Sequence, residues 1–437
     1  MNNMNLDKYG TLLKELDTLK YSGRVSKVIG LTIEAIGPSV NIGEICDVFS
    51  VKNKRPIKAE VVGFRDNTVL LMPLGDMEGI GPGSGVIATG GVLKVPVGEG
   101  LLGRVLDGLG SPIDGLGPLK FSTMFPVTNP PPNPLSRKKI SEVLELGIKS
   151  IDGILTCGKG QRVGIFSGSG IGKSTLLGMI ARNTSADINI IGLIGERGRE
   201  VREFLENDLG KDGLKRSVVV VATSDQPALV RLKSAQLVTA IAEYFRSLGK
   251  DVVLMMDSLT RFALAQREVG LAIGEPPVTR GYTPSVFAVL PKLLERTGTS
   301  DTGSITGMYA VLVDRDDLNE PITDAVRGIL DGHIVLSRSL ANKNHYPAVD
   351  VLESISRLMP NIVKPEQLEA AQKIKDIMAV YKDAEDLISI GAYNRGSDPK
   401  IDYAIEKIEV INKFLKQGIN EKVSFESTVE ELTSLLE

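Results

Sequence analysis

The sequence predicts an α/β protein whose parallel sheet with flanking helices follows a small β-barrel and precedes a helical C-terminal domain. Three observations carry this. From about Gly23 to Gly90 the chain is a series of short β-rich runs separated by glycine, asparagine or proline, the spacing of a small barrel. Beyond "TNPPPNPLSRKK", strand and helix patterns alternate to roughly Arg338, as a parallel sheet with crossover helices requires. From about Lys364 the pattern is mostly helical. The expected division is an N-terminal amphipathic helix over 1–20, the barrel over 21–91, the α/β domain over 92–361 and the helical domain over 362–437.

Taken in order, "LDKYGTLLKELDTLKYSG" places Leu6, Tyr9, Leu12, Leu13, Leu16 and Leu19 at three- and four-residue spacings. That is a short amphipathic helix, packed either on its own domain or on a partner. In the barrel region, "FRDNTVLL" reads as a hairpin turning at Asp66-Asn67. The barrel holds no recognisable chemical constellation, so scaffold or oligomer contact is its expected role. "GLLGRVLDGLGSPIDGLGPL" is looser, and Pro130, Pro131, Pro132 and Pro134 cannot continue a helix or a central strand. This segment is expected to wrap the surface of the next domain. At the end of the chain, "PEQLEAAQKIKDIMAVYKDAEDLISIG" is the longest helical run, and "STVEELTSLLE" has a capping-box pattern, Ser/Thr ahead of Glu430 and Glu431.

Composition narrows the class. With 42% hydrophobic and 24% charged residues the chain is an ordinary globular mixture. Its 51 basic and 54 acidic side chains leave a formal net charge of −3, which gives no electrostatic reason to expect nucleic acid. Cys46 and Cys157 lie far apart without metal-ligand spacing, and His333 and His345 are the only histidines, so a reducing cytosolic setting without a zinc site is expected. No apolar run approaches the ~20 residues that span a bilayer, and "MNNMNLDKYG" lacks the layout of a secretion signal.

The chemistry begins at "GIFSGSGIGKST", Gly164 to Thr175. A phosphate loop has the pattern G-x-x-x-x-G-K-[ST] between a strand and a helix. Here "QRVGIF" is the strand, "TLLGMIARN" has helix-forming character, and Ser167 stands where the strict pattern has its first glycine. Gly168, Gly170 and Gly172 let the backbone curl around an anion, with Ser169 and Ile171 between them. Lys173 then reaches the β- and γ-phosphates, the Ser174 hydroxyl ligates magnesium, and Thr175 continues into the helix. In "DVVLMMDSLTRFA" five apolar residues end at Asp257, a carboxylate at the C-terminal tip of a buried parallel strand, suited to hold the metal through water. "INIIGLIG" ends at Glu196, a candidate base or polariser for the attacking water. Glu200 and Glu203 of "RGREVREF" are expected to be solvated helix charges, and Arg197 either touches the γ-phosphate or pairs with an acid.

These three pieces, in this order, resemble the α/β-type ATPases that include the rotary ATP synthase subunits, and "PAVDVLESISR", Pro347 to Arg357, matches that family's signature segment. The resemblance implies a RecA-like core, ATP with Mg2+, and a homohexamer with sites between subunits. It implies further that Tyr346 stacks on the adenine and that Arg357 is an arginine finger reaching a neighbouring subunit's site, a role that a guanidinium suits. "TRGYTPSVFAVLPKLLERTG" and "ISIGAYNRGSDPKIDYAIEKI" are similar to the protein-export ATPases of type III secretion, and "LANKNHYPAVDVLESISR" to the flagellar rather than the virulence-injectisome version. On that likeness the N-terminal helix docks a stator-like regulatory protein. The C-terminal helices face an export gate, a stalk-like protein and chaperone–substrate complexes, and the ATPase is peripheral to the membrane. The alternatives are an injectisome ATPase, a catalytic subunit of a rotary ATP synthase, a hexameric RNA translocase and a non-hydrolysing structural subunit. A chain with 5% aromatics and no tryptophan ranks the RNA motor last, and Glu196 disfavours the structural subunit.

Overall fold

The computed structural model describes residues 21–50, 56–313, 317 and 319–436, so the N-terminal helix expected over 1–20 lies outside the described residues. The chain divides into two compact units, Met1–Leu93 with Val269–Glu275, and Lys94–Glu268 with Pro276–Glu437.

The first unit is a closed antiparallel barrel of β1 (Ser22–Ile29), β2 (Thr32–Ile36), β3 (Glu44–Phe49), β4 (Pro56–Arg65), β5 (Thr68–Pro73) and β6 (Gly85–Val92), in the order β1-β2-β5-β4-β3-β6. Closure leaves no free edge. Val25, Ile33, Val48, Val61, Leu71 and Val86 fill its interior. The β4–β5 hairpin turns at Asp66-Asn67 as the sequence predicts; Arg65 pairs with Thr68 and Asp66 has φ 49.

The second unit is built on a nine-stranded sheet. Its strands are β8 (Val105–Asp107), β10 (Arg162–Ser167), β11 (Ile188–Ile194), β12 (Ser217–Ala222), β13 (Asp251–Asp257), β14 (Gly298–Thr299), β15 (Ser304–Leu312), β16 (Gly332–Leu336) and β17 (Val349–Ser356). The order is β17-β16-β10-β15-β13-β11-β12-β8, with β14 paired to β15. β10 to β13 are buried along nearly their whole length, which explains why they read as continuous apolar runs and not as alternation: helices cover both faces. One covering helix, Ala228–Ser247, packs on β11 and β13.

The sheet extends past Arg338 in an edge strand that the alternation did not mark, because β17 runs antiparallel to β16 without a crossover helix. The loose segment after the barrel is not wholly irregular either. Its Val105–Asp107 pairs with β12 as the other edge, while β7 (Lys94–Val97) pairs with β9 (Thr123–Pro126). The proline-rich stretch does wrap the unit's surface and is fastened there. The buried Arg296 guanidinium donates to both oxygens of Glu243 (2.8 and 2.7 Å) and to the Val127 carbonyl (2.9 Å), and Asn129 donates to Glu243.

The helices α1 (Lys173–Asn183), α2 (Ala228–Ser247), α3 (Pro365–Ser389), α4 (Pro399–Leu415) and α5 (Phe425–Ser434) are used below. The last three do not form a core of their own. Ile374, Ile411, Phe414 and Leu432 belong to the same apolar cluster as Ile151, Ile165 and Leu177. The last helix also starts earlier than its sequence pattern indicates. Ser424, not Ser427, is its cap and accepts the Ser427 N–H, so the Ser/Thr ahead of Glu430 lies inside the helix.

Candidate functional site

The site lies at the C-terminal ends of the central strands, where open α/β sheets bind ligands. β10 runs into the glycine-rich turn, and α1 starts at Lys173 with Gly172 as its cap at φ 93, a left-handed conformation that favours glycine. A side chain on Gly172 would also come 3.6 Å from the Tyr346 ring. Gly168 is buried at the strand end, while Ser169 and Gly170 form the exposed tip of the loop and Ile171 tucks back into the core. Ser167 ends β10 in place of the expected glycine without strain; it is buried, and its hydroxyl has no partner among the described residues.

The sheet order brings the three predicted acid and base groups together. β13 and β11 are neighbours in register, with Leu193 opposite Asp257, so the chain leaves both strands at the same level. Lys173 reaches across β15 from α1, donates to Asp257 Oδ1 in a very short contact, and lies 3.9 Å from Glu196 Oε1. The three side chains are 11%, 5% and 14% exposed, so this charge cluster is largely withdrawn from water. Burial pushes Glu196 up to about 7, aided by the negative charge of Asp257 and opposed by Lys173. Its Oε1 is buried and accepts no hydrogen bond among the described residues, the Lys173 ammonium being just too far to donate. Ser174 is half-buried on the first turn of α1, and Thr175 beside it is held by Asp208.

Two residues not marked by sequence reasoning belong to this arrangement. Glu200, expected to be solvated, shares a hydrogen bond with Glu196, which holds it below the usual glutamate range. Its spacing of four from Glu196 was the available signal. Arg261 packs on the turn before Glu196: Gly195, at φ 72, has room for no side chain because a Cβ there would lie 2.8 Å from Arg261 Cβ. The Arg261 Nε is buried without a partner among the described residues, and its place four residues after Asp257 was a usable clue. Arg197 is 74% exposed and lies 3.5 Å from Glu200.

Beside the loop opens a cavity of about 660 Å3 bordered by Gly172, Thr175, Tyr346, Gln417 and Ile419. Tyr346 is 43% exposed, and its carbonyl accepts the Gln417 N–H. Arg357 is elsewhere. Leu336 pairs with Ser167 next to the loop, but β17 runs back antiparallel and Ser356 pairs with Gly332, four residues down β16. At about 3.3 Å per residue this carries Arg357 about 13 Å along the strand axis from the loop. It is exposed there, with its guanidinium 3.5 Å from the Arg327 carbonyl.

Known proteins match the chain over nearly its whole length. A flagellum-specific ATP synthase of Bacillus subtilis (strain 168) is 58% identical over 420 residues, covering 96% of either chain. The chain belongs to the ATP synthase alpha/beta family, in the branch of flagellum-specific and type III secretion ATPases. The family's nucleotide-binding domain matches residues 147–356, its beta-barrel domain 25–90, and the T3SS EscN ATPase C-terminal domain 363–434. The type 3 secretion system ATPase of Xanthomonas euvesicatoria is 50% identical, covering 97% of either chain. Among solved structures, the assembled ATPase EscN from enteropathogenic E. coli superimposes with a TM-score of 0.90 at 47% identity, over 95% of this chain and all of that one. The same ATPase in complex with its central stalk EscO gives 0.88 at 46%, with the same coverage. This chain is an ATPase. The C-terminal match places it in the export branch, where the sequence carries "GAYNRGSDPKID".

Proposed function

We propose that this ATPase is magnesium-dependent and energises the export of flagellar proteins through a type III secretion apparatus. The observation that carries the chemistry is the Lys173 ammonium held between Asp257 and Glu196 at the mouth of the phosphate loop. In the nucleotide-bound site Lys173 turns from the carboxylates to the β- and γ-phosphates, and the loop amides and the α1 N-terminus hold the remaining charge. Tyr346 stacks on the base in the adjoining cavity. The oxygen donors Ser174 and Asp257 suit magnesium and would hold it at this site. The metal would neutralise charge on the β- and γ-phosphates. Glu196 orients the attacking water and accepts its proton, and its Oε1, which accepts no hydrogen bond among the described residues, is the atom for that role.

Arg357 cannot serve its own loop from the far end of the edge strand, so its action as a finger falls on a neighbouring copy in a ring, read as a homohexamer. Arg197, tethered loosely by Glu200, is a second candidate for the γ-phosphate. The stalk-like protein, the export gate, the chaperone–substrate complexes and the stator-like protein remain the proposed partners, and the cytoplasmic face of the membrane the proposed place of work. The flagellar reading over the injectisome one rests on the higher identity to the Bacillus protein, 58% against 50% for the Xanthomonas secretion ATPase.

The test is Glu196→Gln. ATP affinity should stay within about threefold of wild type while turnover falls by about 10²-fold or more, the range of general-base loss. Wild-type turnover in that variant removes Glu196 from the mechanism.

A further inference from the structure

On the other side of the turn that carries Tyr346 is a second cavity, of about 230 Å3, bounded by β17, α3 and α4. Val349, Val351, Met378, Ile408 and Leu415 form its apolar side, and the charged side chains of Asp350, Lys382 and Glu385 also border it. One polar group is buried within it. His345 is 4% exposed, and its Nε2 has no hydrogen-bond partner among the described residues. Native proteins rarely leave a buried ring nitrogen unsatisfied unless something outside the chain supplies the partner. Asn412 and Lys416 border the same space. Lys343 there is neutralised by Glu385 at 2.8 Å, whereas Lys416 makes no ion pair among the described residues. Burial, and then the Lys416 charge, hold the imidazole below its usual range, so near neutral pH it is uncharged and can present an Nε2–H.

A cavity with an apolar side and a few polar groups is the usual build of a small-molecule site. A cavity of about 150 Å3 admits benzene, so this one holds a ring of that size with a small polar head. We propose that it binds a small carboxylate with a compact apolar body, about the size of benzoate. The carboxylate lies between the Lys416 ammonium and the His345 Nε2–H, and the body rests on Val351, Met378 and Ile408.

Such a ligand reaches the nucleotide cavity through the backbone. His345 precedes Tyr346, and Lys416 precedes Gln417, whose N–H donates to the Tyr346 carbonyl at 3.0 Å. Asn344, Tyr346, Lys416 and Gln417 all line the nucleotide cavity. A bound carboxylate thus grips both segments that shape the wall opposite the phosphate loop, and it changes the affinity for ATP.

Calorimetric titration of the nucleotide-free full chain with benzoate, benzamide and benzylamine tests the site independently of the ATPase reading. Benzoate should bind with a Kd of about 1 mM or below, and the neutral and cationic analogues about tenfold more weakly or worse. Lys416→Met, a surface change that leaves the core intact, should weaken benzoate about tenfold. Ile408→Trp, which fills the chamber, should abolish binding. Absence of saturable binding, equal binding of benzylamine, or undiminished affinity in either variant overturns the site. A fluorescent ATP analogue titrated with and without saturating benzoate reads the coupling. A shift of about threefold or more is expected, and identical titrations overturn the coupling.

Discussion

Replacing Arg296 with Met should loosen the whole flank of the ATPase unit. Arg296 and Glu243 are 4% and 6% exposed and meet in a two-pronged contact of 2.8 and 2.7 Å. Methionine keeps most of the stem but removes the charge and the donor to Val127. It leaves a carboxylate sealed in the protein with only the Asn129 amide, at 2.9 Å, as a direct donor. Breaking such a buried pair costs about 3–5 kcal/mol. The Arg246 guanidinium also attracts Glu243 and offsets part of the loss, so about 3 kcal/mol is expected. Restoring neutrality with Glu243→Leu in the Arg296→Met background should recover stability to within about 1 kcal/mol of wild type. The chain has no tryptophan, so guanidinium unfolding should be followed by far-UV circular dichroism and tyrosine fluorescence. Because the chain divides into two compact units, more than one transition must be allowed for in the fit. A loss below about 1 kcal/mol for Arg296→Met at unchanged m, or a double variant weaker than the single one, refutes the claim that an uncompensated buried charge sets the cost.

Three further outcomes are expected. Arg357→Ala should abolish most ATP turnover in the assembled ATPase while leaving nucleotide affinity within about threefold. Mixing it with Lys173→Ala protein should restore part of the rate, and no rescue at any ratio counts against action between copies. The side-chain hydrogen bond from Arg104 holds Asp114 well below the usual carboxylate range. With the folded-state value depressed, the stabilisation is present above about pH 4, the unfolded value. It is lost only as pH falls towards the folded value. Asp114→Asn should therefore be less stable than wild type at pH 7, with the difference in denaturation midpoint shrinking below about pH 4. Asp152, wholly buried, accepts the N–H groups of Leu146 (3.0 Å) and Gly147 (2.7 Å). Asp152→Ala strands both donors and should cost about 3 kcal/mol in chemical denaturation, with Asp152→Asn losing less.

Much of the fold was readable because it is written locally. Continuous apolar runs marked β10, β11 and β13, and the residues that end or follow them, Ser167, Glu196 and Asp257, lie where a parallel sheet exposes its strand ends. The hairpin at Asp66-Asn67 was equally local. The reading failed where partners are remote in sequence. A short edge strand such as Val105–Asp107 has too few residues to show a period. The start of α5 at Ser424 depends on how its helix docks, and its Ser/Thr pattern pointed three residues too late. Glu200 looked like any other exposed helix acid, and only the structure shows its hydrogen bond to Glu196.

The sequence by itself determined the phosphate loop, the acids that accompany it and the succession of barrel, sheet and helices, since each depends on the backbone preferences and apolar spacing of neighbouring residues. Only the tertiary structure decided which strands lie side by side, and so which charges meet. It set Lys173 between Asp257 and Glu196, sent Arg357 to the far end of the edge strand, merged the C-terminal helices into the core of the sheet and left His345 facing an open chamber. Those relations join residues tens to hundreds of positions apart, and strand order, which the apolar pattern of a single strand does not encode, is what brings them within reach.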